Sequence, residues 1–325
     1  MSTVLTKKDQ KRLMLFAGRS HPALANEVAS ILDVDLVPMR AVTYANSEIY
    51  VRFEESVRGS DAFVIQSHHA PVNEWMMEQL IMVDALKRAS AKRITVVSPF
   101  YPYARQDKKH AGREPISARL MADLYAAAGA TRIMSVDLHA AQIQGFFSGP
   151  VDHLLAMPLL SDYVARKYGE EDLVVVSPDA GRVRMADQWT DKLGCNLAII
   201  HKRRDPNVAN TVAVHEVVGE VEGRVCLIVD DMIDTAGTIC LAADALMARG
   251  AKAVIAAATH AVLSGPAAER LNRSAFKEVI VTNTLPIDPA VDIECLTVLS
   301  IAPLIAKAIK EVFTEGSVTS LMNEG

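Results

Sequence analysis

Residues 225–239 read Val-Cys-Leu-Ile-Val-Asp-Asp-Met-Ile-Asp-Thr-Ala-Gly-Thr-Ile. The first five are apolar, which predicts a strand that is buried on both of its faces. Two adjacent carboxylates, Asp230 and Asp231, stand where we expect that strand to leave the sheet. A helical pattern then runs over residues 239–249 and is closed by Gly250, which predicts a helix directly after a short loop.

The loop between this strand and this helix is made of small and hydroxylated residues, in the order Asp234, Thr235, Ala236, Gly237 and Thr238. A loop that opens a helix presents backbone N–H groups and the positive end of the helix dipole, so it can bind a phosphate. The carboxylates before it can accept hydrogen bonds from sugar hydroxyls. The stretch therefore predicts a sugar-phosphate site. The alternative is an ordinary turn with an aspartate cap, which would not need two carboxylates at the strand end.

The composition favours two α/β domains. The chain has 325 residues, enough for two domains that each bury a core. Half of the residues are hydrophobic but only 5% are aromatic, which suits aliphatic helices packed on parallel sheets. The net charge of -5 gives no electrostatic reason to expect nucleic acid or an anionic membrane as a partner.

The cysteines indicate a reducing compartment. Cys195, Cys226, Cys240 and Cys295 are scattered without a C-x-x-C pair, as is typical of reduced, buried thiols. The N-terminal residues lack the apolar core of a signal peptide, and the longest apolar run, 253–258, is too short to span a bilayer. We therefore expect a soluble, cytoplasmic protein.

Strand-like and helix-like patterns alternate along the whole chain. Strand-type runs occupy residues 13–17, 62–66, 93–97 and 132–136 in the first half, with helical spacing over 73–89 and 117–128. The second half continues with strand-type runs at 173–176, 197–200, 225–229, 253–258 and 278–281. This alternation predicts an α/β fold of doubly wound domains with mostly parallel sheets.

The two halves also echo each other weakly. Residues 97–99 and 176–178 both read Val-Ser-Pro at the end of a predicted strand, and arginines follow each of them. The segment 149–162, which contains two prolines, is the best candidate for a domain junction. We therefore predict two similar domains, residues 1–155 and residues 156–325.

Other polar residues follow predicted strands, where ligands bind in α/β sheets. Arg105, in the loop 102–109, carries a permanent charge and a planar fork of donors suited to phosphate oxygens. Asp137 and His139 lie on one face at another strand end, where His139 could bind a metal, transfer a proton or be structural. Asp179 could either cap a helix or bind Mg²⁺.

In their order along the chain, these motifs resemble those of ribose-phosphate diphosphokinases, the phosphoribosyl-pyrophosphate synthetases. The resemblance covers the chain from Leu13 to its C-terminus, whereas the stretch 230–238 alone would fit any type I phosphoribosyltransferase. The residues that carry it are 15–18, 105–107, 137–147, 177–179, 202–204 and 230–238.

The resemblance implies transfer of the diphosphoryl group of MgATP to the C1 hydroxyl of ribose 5-phosphate, which gives phosphoribosyl pyrophosphate and AMP. It implies that Asp230 and Asp231 hold the ribose hydroxyls, and that the 5-phosphate is held by Asp234, Thr235, Ala236, Gly237 and Thr238. The ATP site would comprise Arg105, Gln106 and Asp107, with Tyr44, Asn46 and Glu48 reaching the adenine from a neighbouring subunit. His139 and Asp179 match Mg²⁺ positions, and Lys202 and Arg204, on a mobile loop, match the catalytic pair.

Physical reasoning agrees with this assignment. Attack at the β-phosphorus needs alignment and charge stabilisation rather than a covalent nucleophile, and we find no Ser/His/Asp or Cys/His set. The loop 202–207 carries three cations and few apolar anchors, so it can be mobile until phosphates bind. The alternative for this loop is a basic surface hairpin.

The sequence departs from the family pattern at several positions. Asn46-Ser47-Glu48 replaces the usual Asp-Gly-Glu, and His201 replaces a common Asp. Ala236 replaces the first of two glycines in the phosphate loop, which is tolerable only if that residue does not need a positive φ. Mg²⁺ prefers oxygen ligands, so His139 would bind it through a water as readily as directly.

Two other functions remain open at this point. A phosphoribosyltransferase that consumes phosphoribosyl pyrophosphate would use the stretch 230–238 but would not need the Arg-Gln-Asp loop or the Lys202 loop. A non-catalytic regulatory homologue should show damage or insertions at the catalytic positions, and we see neither. The expected small-molecule partners are ATP and ribose 5-phosphate. Further copies of the chain are also expected, because family members commonly assemble as hexamers.

Overall fold

The computed structural model describes residues 11–203 and 214–319. Contacts divide these residues into two compact units, one of the residues up to His153 together with Ile305–Val318, the other of Leu154–Leu304. The predicted C-terminal domain, 156–325, includes the segment that the contacts group with the first unit. Within this segment, Glu315 forms ion pairs with Lys11 and Arg93, which both belong to the first unit.

Strands and helices alternate in both units. The first elements in chain order are β1 (Leu13–Ala17), α1 (Pro22–Leu32), β2 (Met39–Thr43), β3 (Ile49–Phe53), β4 (Asp61–Ile65), α2 (Val72–Arg88), β5 (Arg93–Ser98), α3 (Ser117–Ala128), β6 (Arg132–Val136) and β7 (Val151–Leu154). They are followed by α4 (Met157–Tyr168), β8 (Leu173–Ser177), α5 (Val183–Leu193), β9 (Asn196–Arg203), β10 (Val214–Val218), β11 (Val225–Ile233), α6 (Gly237–Ala248), β12 (Ala253–Ala261), α7 (Ala267–Asn272), β13 (Phe276–Thr282), β14 (Leu296–Leu299) and α8 (Ala302–Thr314). Across the two described ranges, no helix has the length and apolar character needed to cross a membrane.

The sheet of the first unit has the described strand order β1-β4-β5-β6-β7. β1, β4, β5 and β6 pair in parallel. β4 is buried along its whole length, as expected of a strand covered on both faces. Because parallel strands point the same way, the loops that follow β1, β4, β5 and β6 leave from one edge of this sheet.

The sheet of the second unit has the described order β10-β9-β8-β11-β12-β13-β14. Each neighbouring pair in the series β9-β8-β11-β12-β13-β14 is parallel. β10, at the edge, pairs antiparallel with β9. The predicted α/β fold with mostly parallel sheets is therefore confirmed. In this unit the loops after β8, β9, β11 and β12 share one edge.

The apolar runs of the sequence correspond to the central strands, and the two helical patterns of the first half correspond to α2 and α3. The prediction missed β2, β3, β7, β10 and β14, because these short strands are not marked by continuous apolar runs. It also ended β11 too early. The strand continues past Val229 to Ile233, since residues beyond Asp230 still pair with β12 up to Ala261. Asp230 and Asp231 therefore lie inside the strand rather than after it.

β2 and β3 form an antiparallel hairpin outside the main sheet of the first unit. Its loop is closed by the Tyr44 N–H, which donates to the Glu48 carbonyl at 2.8 Å, and by the Ser47 N–H, which donates to the Tyr44 carbonyl at 2.8 Å. Ser47 has φ +70°, in the left-handed region that favours glycine. This conformation explains why the family pattern carries glycine at this position.

Glu278 is a buried carboxylate on β13 that connects three elements of the second unit. It accepts hydrogen bonds from Tyr163 at 2.7 Å, Lys167 at 2.8 Å and Tyr168 at 2.5 Å, all on α4, and from Thr297 of β14 at 2.6 Å. Burial opposes ionisation of Glu278, but these hydrogen bonds outweigh it and lower its pKa to about 2. The carboxylate is therefore an ionised tie between α4 and the sheet.

Replacing Glu278 with Gln should lower the free energy of unfolding by about 1–3 kcal/mol at neutral pH, because the neutral amide accepts weaker hydrogen bonds. The pKa is lowered in the folded state, so the stabilisation is fully present above the ordinary value of 4.5 and is lost as the pH falls toward about 2. Urea unfolding midpoints of the wild type and Glu278→Gln, measured from neutral pH downward, should therefore converge in acid.

The matched control for this experiment is Glu269→Gln. Glu269 is exposed and pairs with Arg273 one turn along its helix, an arrangement that contributes little to stability. Its replacement should leave the unfolding midpoint unchanged at every pH. A difference between wild type and Glu278→Gln that is independent of pH would contradict the ionised tie.

Replacing Ser47 with Gly should raise the free energy of unfolding by about 0.5–1 kcal/mol, since it removes the strain of an L-residue at positive φ. Ser47 is exposed, so no packing is lost. Ser56→Gly is the control, because Ser56 is also exposed but has no positive φ. The two variants should shift the thermal unfolding temperature in opposite directions, and a shared decrease would refute the strain argument.

Candidate active site

Asp230 and Asp231 lie beyond the point where β11 stops pairing with β8. The last such pair joins Ile228 and Val176, so the edge of β11 next to the carboxylates is not covered by β8. The Asp231 N–H donates to Asp230 Oδ1 at 2.8 Å. The side chain of Asp230 is 20% exposed and that of Asp231 is 1% exposed, so the two carboxylates differ in access to a ligand.

Arg182 binds both carboxylates. Its Nη2 donates to Asp231 Oδ1 at 2.6 Å, and its Nε lies 2.9 Å from Asp230 Oδ1. Burial and the neighbouring Asp231 raise the pKa of Asp230, and the Arg182 charge acts in the opposite direction. Sequence reasoning did not assign Arg182 to the site. The available signal was its position just after Ser-Pro-Asp at the end of a predicted strand.

The phosphate loop leads directly into α6, which begins at Gly237 and so takes Gly237 and Thr238 into its first turn. Ala236 precedes the helix with φ +58°. The condition that this residue avoids a positive φ is therefore not met, and an alanine adopts the conformation that favours glycine. No side chain caps the N-terminus of α6, so its first N–H groups are not used by a cap and can bind an anion.

Two residues that sequence reasoning missed brace this loop. Ser264 donates through its hydroxyl to Asp234 Oδ1 and through its N–H to the Asp234 carbonyl at 3.0 Å. Arg270, on α7, donates from Nη1 to the Thr235 carbonyl at 2.9 Å. Ser264 could have been found from its position after the neighbouring predicted strand, but no local signal marks Arg270.

Asp179 follows β8 and caps the short 3-10 helix Ala180–Arg182. Its Oδ1 accepts hydrogen bonds from the N–H groups of Gly181 at 2.7 Å and Arg182 at 3.1 Å. The capping role considered from the sequence is therefore present. Both donors use Oδ1, and the residue is exposed, so its carboxylate can still bind a cation.

The predicted catalytic pair lies at the limit of the described chain. The backbone of Lys202 belongs to β9 and pairs with His215 of β10, which brings this position to the same sheet edge as β8 and β11. The side chain of Lys202 and the whole of Arg204 lie outside the described residues. Their catalytic role stays a prediction.

In the first unit, the predicted ATP residues lie in the loop after β5. Arg105 and Gln106 are exposed and Asp107 is buried. Gln106 is held against the start of α3, because its carbonyl accepts the Ala118 N–H at 3.1 Å and its Oε1 accepts the Ser117 hydroxyl at 2.6 Å. This anchoring fixes the loop and leaves Arg105 directed to the surface.

His139 follows β6, the neighbour of β5 in the sheet. The 3-10 helix Ala141–Gly145, which comes next, is tied to the ATP loop because Gln142 Nε2 donates to Asp107 Oδ2. The structure therefore joins the His139 segment and the Arg105 loop within one unit. Over residues 11–203 and 214–319, no group of three His, Cys, Asp or Glu side chains forms a preassembled metal site.

Tyr44, Asn46 and Glu48 are all exposed at the tip of the β2–β3 hairpin. Tyr44 is 51% exposed, and its ring centroid lies 6.4 Å from that of Tyr50. The Asn46 side chain is used locally, because its Oδ1 accepts the Glu48 N–H at 3.2 Å. The hairpin thus offers an aromatic ring and a carboxylate to a neighbouring molecule.

The second unit collects one group of predicted residues at a single sheet edge. The neighbouring strands β9, β8 and β11 bring there the Lys202 position, Asp179, and the ribose and phosphate residues. The first unit collects the other set, with the Arg105 loop and His139 after neighbouring strands. Each unit therefore carries one group of residues suited to phosphate-bearing ligands.

Family models match both parts of the sequence. Residues 13–129 match the N-terminal domain of ribose phosphate pyrophosphokinase, and residues 206–323 match the phosphoribosyl synthetase-associated domain. The ribose-phosphate pyrophosphokinase of Streptomyces coelicolor is 65% identical over 315 residues, which is 97% of each chain. That of Mycobacterium tuberculosis is 62% identical over 316 residues, again 97% of each chain.

A solved structure agrees with these relatives. Phosphoribosylpyrophosphate synthetase from Mycobacterium smegmatis superposes with a TM-score of 0.90 at 61% identity, covering 94% of this chain and 100% of that one. Both the sequence and the fold match over nearly the whole length. The chain therefore belongs to the ribose-phosphate pyrophosphokinase family.

Proposed function

We propose that this protein transfers the diphosphoryl group of ATP to the C1 hydroxyl of ribose 5-phosphate, giving phosphoribosyl pyrophosphate and AMP. The observation that carries the proposal is in the second unit, where two carboxylates of β11 are followed, after the five residues 232–236, by a helix N-terminus without a side-chain cap. This arrangement suits a ligand with sugar hydroxyls at one end and a phosphate at the other.

Ribose 5-phosphate would bind with its phosphate on the first N–H groups of α6 and its hydroxyls at the carboxylates. The loop from Asp234 to Thr238 holds no cationic side chain, so backbone N–H groups and the helix dipole supply the attraction. Ser264 and Arg270 keep that backbone in place. The C1 hydroxyl, which accepts the diphosphoryl group, would lie at the end of the sugar away from the 5-phosphate.

ATP would bind at the first unit through the loop Arg105-Gln106-Asp107, where Arg105 is suited to phosphate oxygens. We infer that Tyr44, Asn46 and Glu48 approach the adenine from a neighbouring subunit of a homo-oligomer, by analogy with hexameric family members. The exposure of these three residues at the tip of the hairpin supports that role. The unpaired cysteines support a cytoplasmic location.

We propose Mg²⁺ as the cofactor, with Asp179 of the second unit and His139 of the first unit as its candidate ligands. Asp179 fits, because a carboxylate oxygen is a preferred ligand of Mg²⁺, the residue is exposed, and both of its backbone donors use Oδ1. His139 would contribute either directly or through a water. When bound, Mg²⁺ would neutralise part of the phosphate charge.

Lys202 and Arg204 would act on the transferring group. The β-phosphorus gains charge on its non-bridging oxygens as its bond to AMP stretches, and two cations beside it stabilise that charge more than the ground state. Family resemblance and the strand-end position of Lys202 support this assignment.

The activity is tested by measuring AMP release from ATP with and without ribose 5-phosphate. Release that depends on ribose 5-phosphate supports the proposal. A phosphoribosyltransferase would instead consume phosphoribosyl pyrophosphate with a nucleobase, and a regulatory homologue would turn over neither substrate set. Either result would overturn the proposal.

Lys202→Ala should lower kcat by about 10²–10³-fold, because a group that acts in the transition state contributes mainly to kcat. KM for both substrates should change only a few-fold, and Arg204→Ala should have the same effect more weakly. Steady-state kinetics of AMP release provide the measurement. An unchanged kcat with a raised KM for ATP would make the loop a binding lid.

Mixing Glu48→Ala with Lys202→Ala protein should restore part of the activity if the hairpin completes a neighbouring subunit's site. Some mixed sites would then combine an intact hairpin with an intact Lys202. The mixture is assayed after subunit exchange has been verified by mass spectrometry of differently labelled chains. Activity no greater than that of the separate variants, despite exchange, would rule out the shared site.

A further inference from the structure

Arg182 occupies the one side of the carboxylate pair that the sheet leaves uncovered. β8 and β11 pair in parallel only as far as Val176 and Ile228, and Arg182 follows β8 at the end of the 3-10 helix. Its guanidinium therefore lies beside the part of β11 that would otherwise have lacked a neighbour. Only 18% of its side chain is exposed.

The two carboxylates differ in exposure and in the contacts that they make. Asp231 is 1% exposed and gives one oxygen to Arg182 at 2.6 Å, so it is poorly placed to meet a sugar directly. Asp230 is 20% exposed, and its Oδ1 is held by two donors, Arg182 Nε and the Asp231 N–H. Two donors on one oxygen fix the rotation of a carboxylate. The exposed part of Asp230 is what a sugar hydroxyl can reach.

A neutral side chain could not replace this contact, and a lysine could replace it only in part. One planar guanidinium reaches two carboxylates at once through Nε and Nη2, whereas a lysine ammonium would act as a single point charge. Two adjacent carboxylates in a buried position also repel each other unless a cation lies between them. Arg182 supplies that cation from a neighbouring strand end.

We infer that Arg182 is a positioning residue for ribose 5-phosphate, and that it clamps Asp230 and Asp231 so that Asp230 is presented to the ribose hydroxyls. Asp231 then acts through Arg182 rather than by direct contact with the sugar. This inference rests on the proposed function of the same site. It assigns to Arg182 no contact with the substrate.

The test uses the full-length protein and two readouts, calorimetric titration with ribose 5-phosphate and steady-state AMP release. Arg182→Gln, which keeps most of the side-chain length but not the charge, should weaken ribose 5-phosphate binding at least about tenfold. KM for ribose 5-phosphate should rise by a similar factor, while kcat and KM for ATP change only a few-fold. Arg182→Lys should restore part of the affinity, because it keeps the charge but not the planar fork.

Arg184→Ala is the matched control. Arg184 lies two residues further on, is exposed, and makes no ion pair with any residue of the described chain. Its replacement should leave the affinity for ribose 5-phosphate unchanged. Thermal unfolding of each variant identifies any general loss of structure. If Arg182→Lys and Arg182→Gln unfold at the same temperature, a difference between their affinities for ribose 5-phosphate reports the clamp and not the stability of the fold.

The outcomes separate this inference from the function on which it rests. Wild-type protein that neither binds ribose 5-phosphate nor releases AMP would refute the proposed function. Active wild type with Arg182→Gln binding ribose 5-phosphate as tightly as wild type would overturn the inference alone. So would a fall in kcat with unchanged affinity, which would place Arg182 at the reacting phosphate instead.

Discussion

The parallel pairing of β8, β9, β11 and β12 is the constraint on which the site of the second unit depends. Parallel strands deliver their carboxyl ends to one edge, so residues far apart in sequence meet there without any long loop. Asp179, the Lys202 position and the carboxylates of β11 are all delivered in this way. The different lengths of the strands then create the opening. β11 extends beyond the last residue of β8 that pairs with it, and Arg182 lies in the resulting gap.

Backbone conformation and packing oppose each other at Ala236. An L-residue at φ +58° carries a strain of about 1–2 kcal/mol. Ala236 is 5% exposed, so burial of its methyl group contributes about 0.8 kcal/mol to the stability of the fold. Alanine also loses less chain entropy on folding than glycine does. The balance is close to zero, which explains how alanine can stand at a position that the family pattern gives to glycine. At Ser47 the side chain is exposed and this compensation is missing.

Most of the fold could be predicted from the sequence, because strands buried on both faces leave continuous apolar runs. Edge strands such as β10 and β14 could not be predicted, since a half-exposed strand has no continuous apolar run. The ligand loop after β11 was recognisable because all its parts are adjacent in sequence. The role of Arg182 was not recognisable from the sequence, because its contact with Asp231 spans 49 residues and depends on how far β8 extends along β11. The conformation of Ala236 was equally hidden, since composition does not reveal φ.

The return of the chain to the first unit has a consequence for biosynthesis. Buried residues of α8, among them Ile305 and Ile309, belong to the unit that begins with β1, and Lys11 pairs with Glu315 across 304 residues of sequence. The first unit therefore cannot complete its core while the ribosome is still adding the second. Contacts of such long sequence separation form slowly, and the first unit can complete its core only after the second unit has been synthesised.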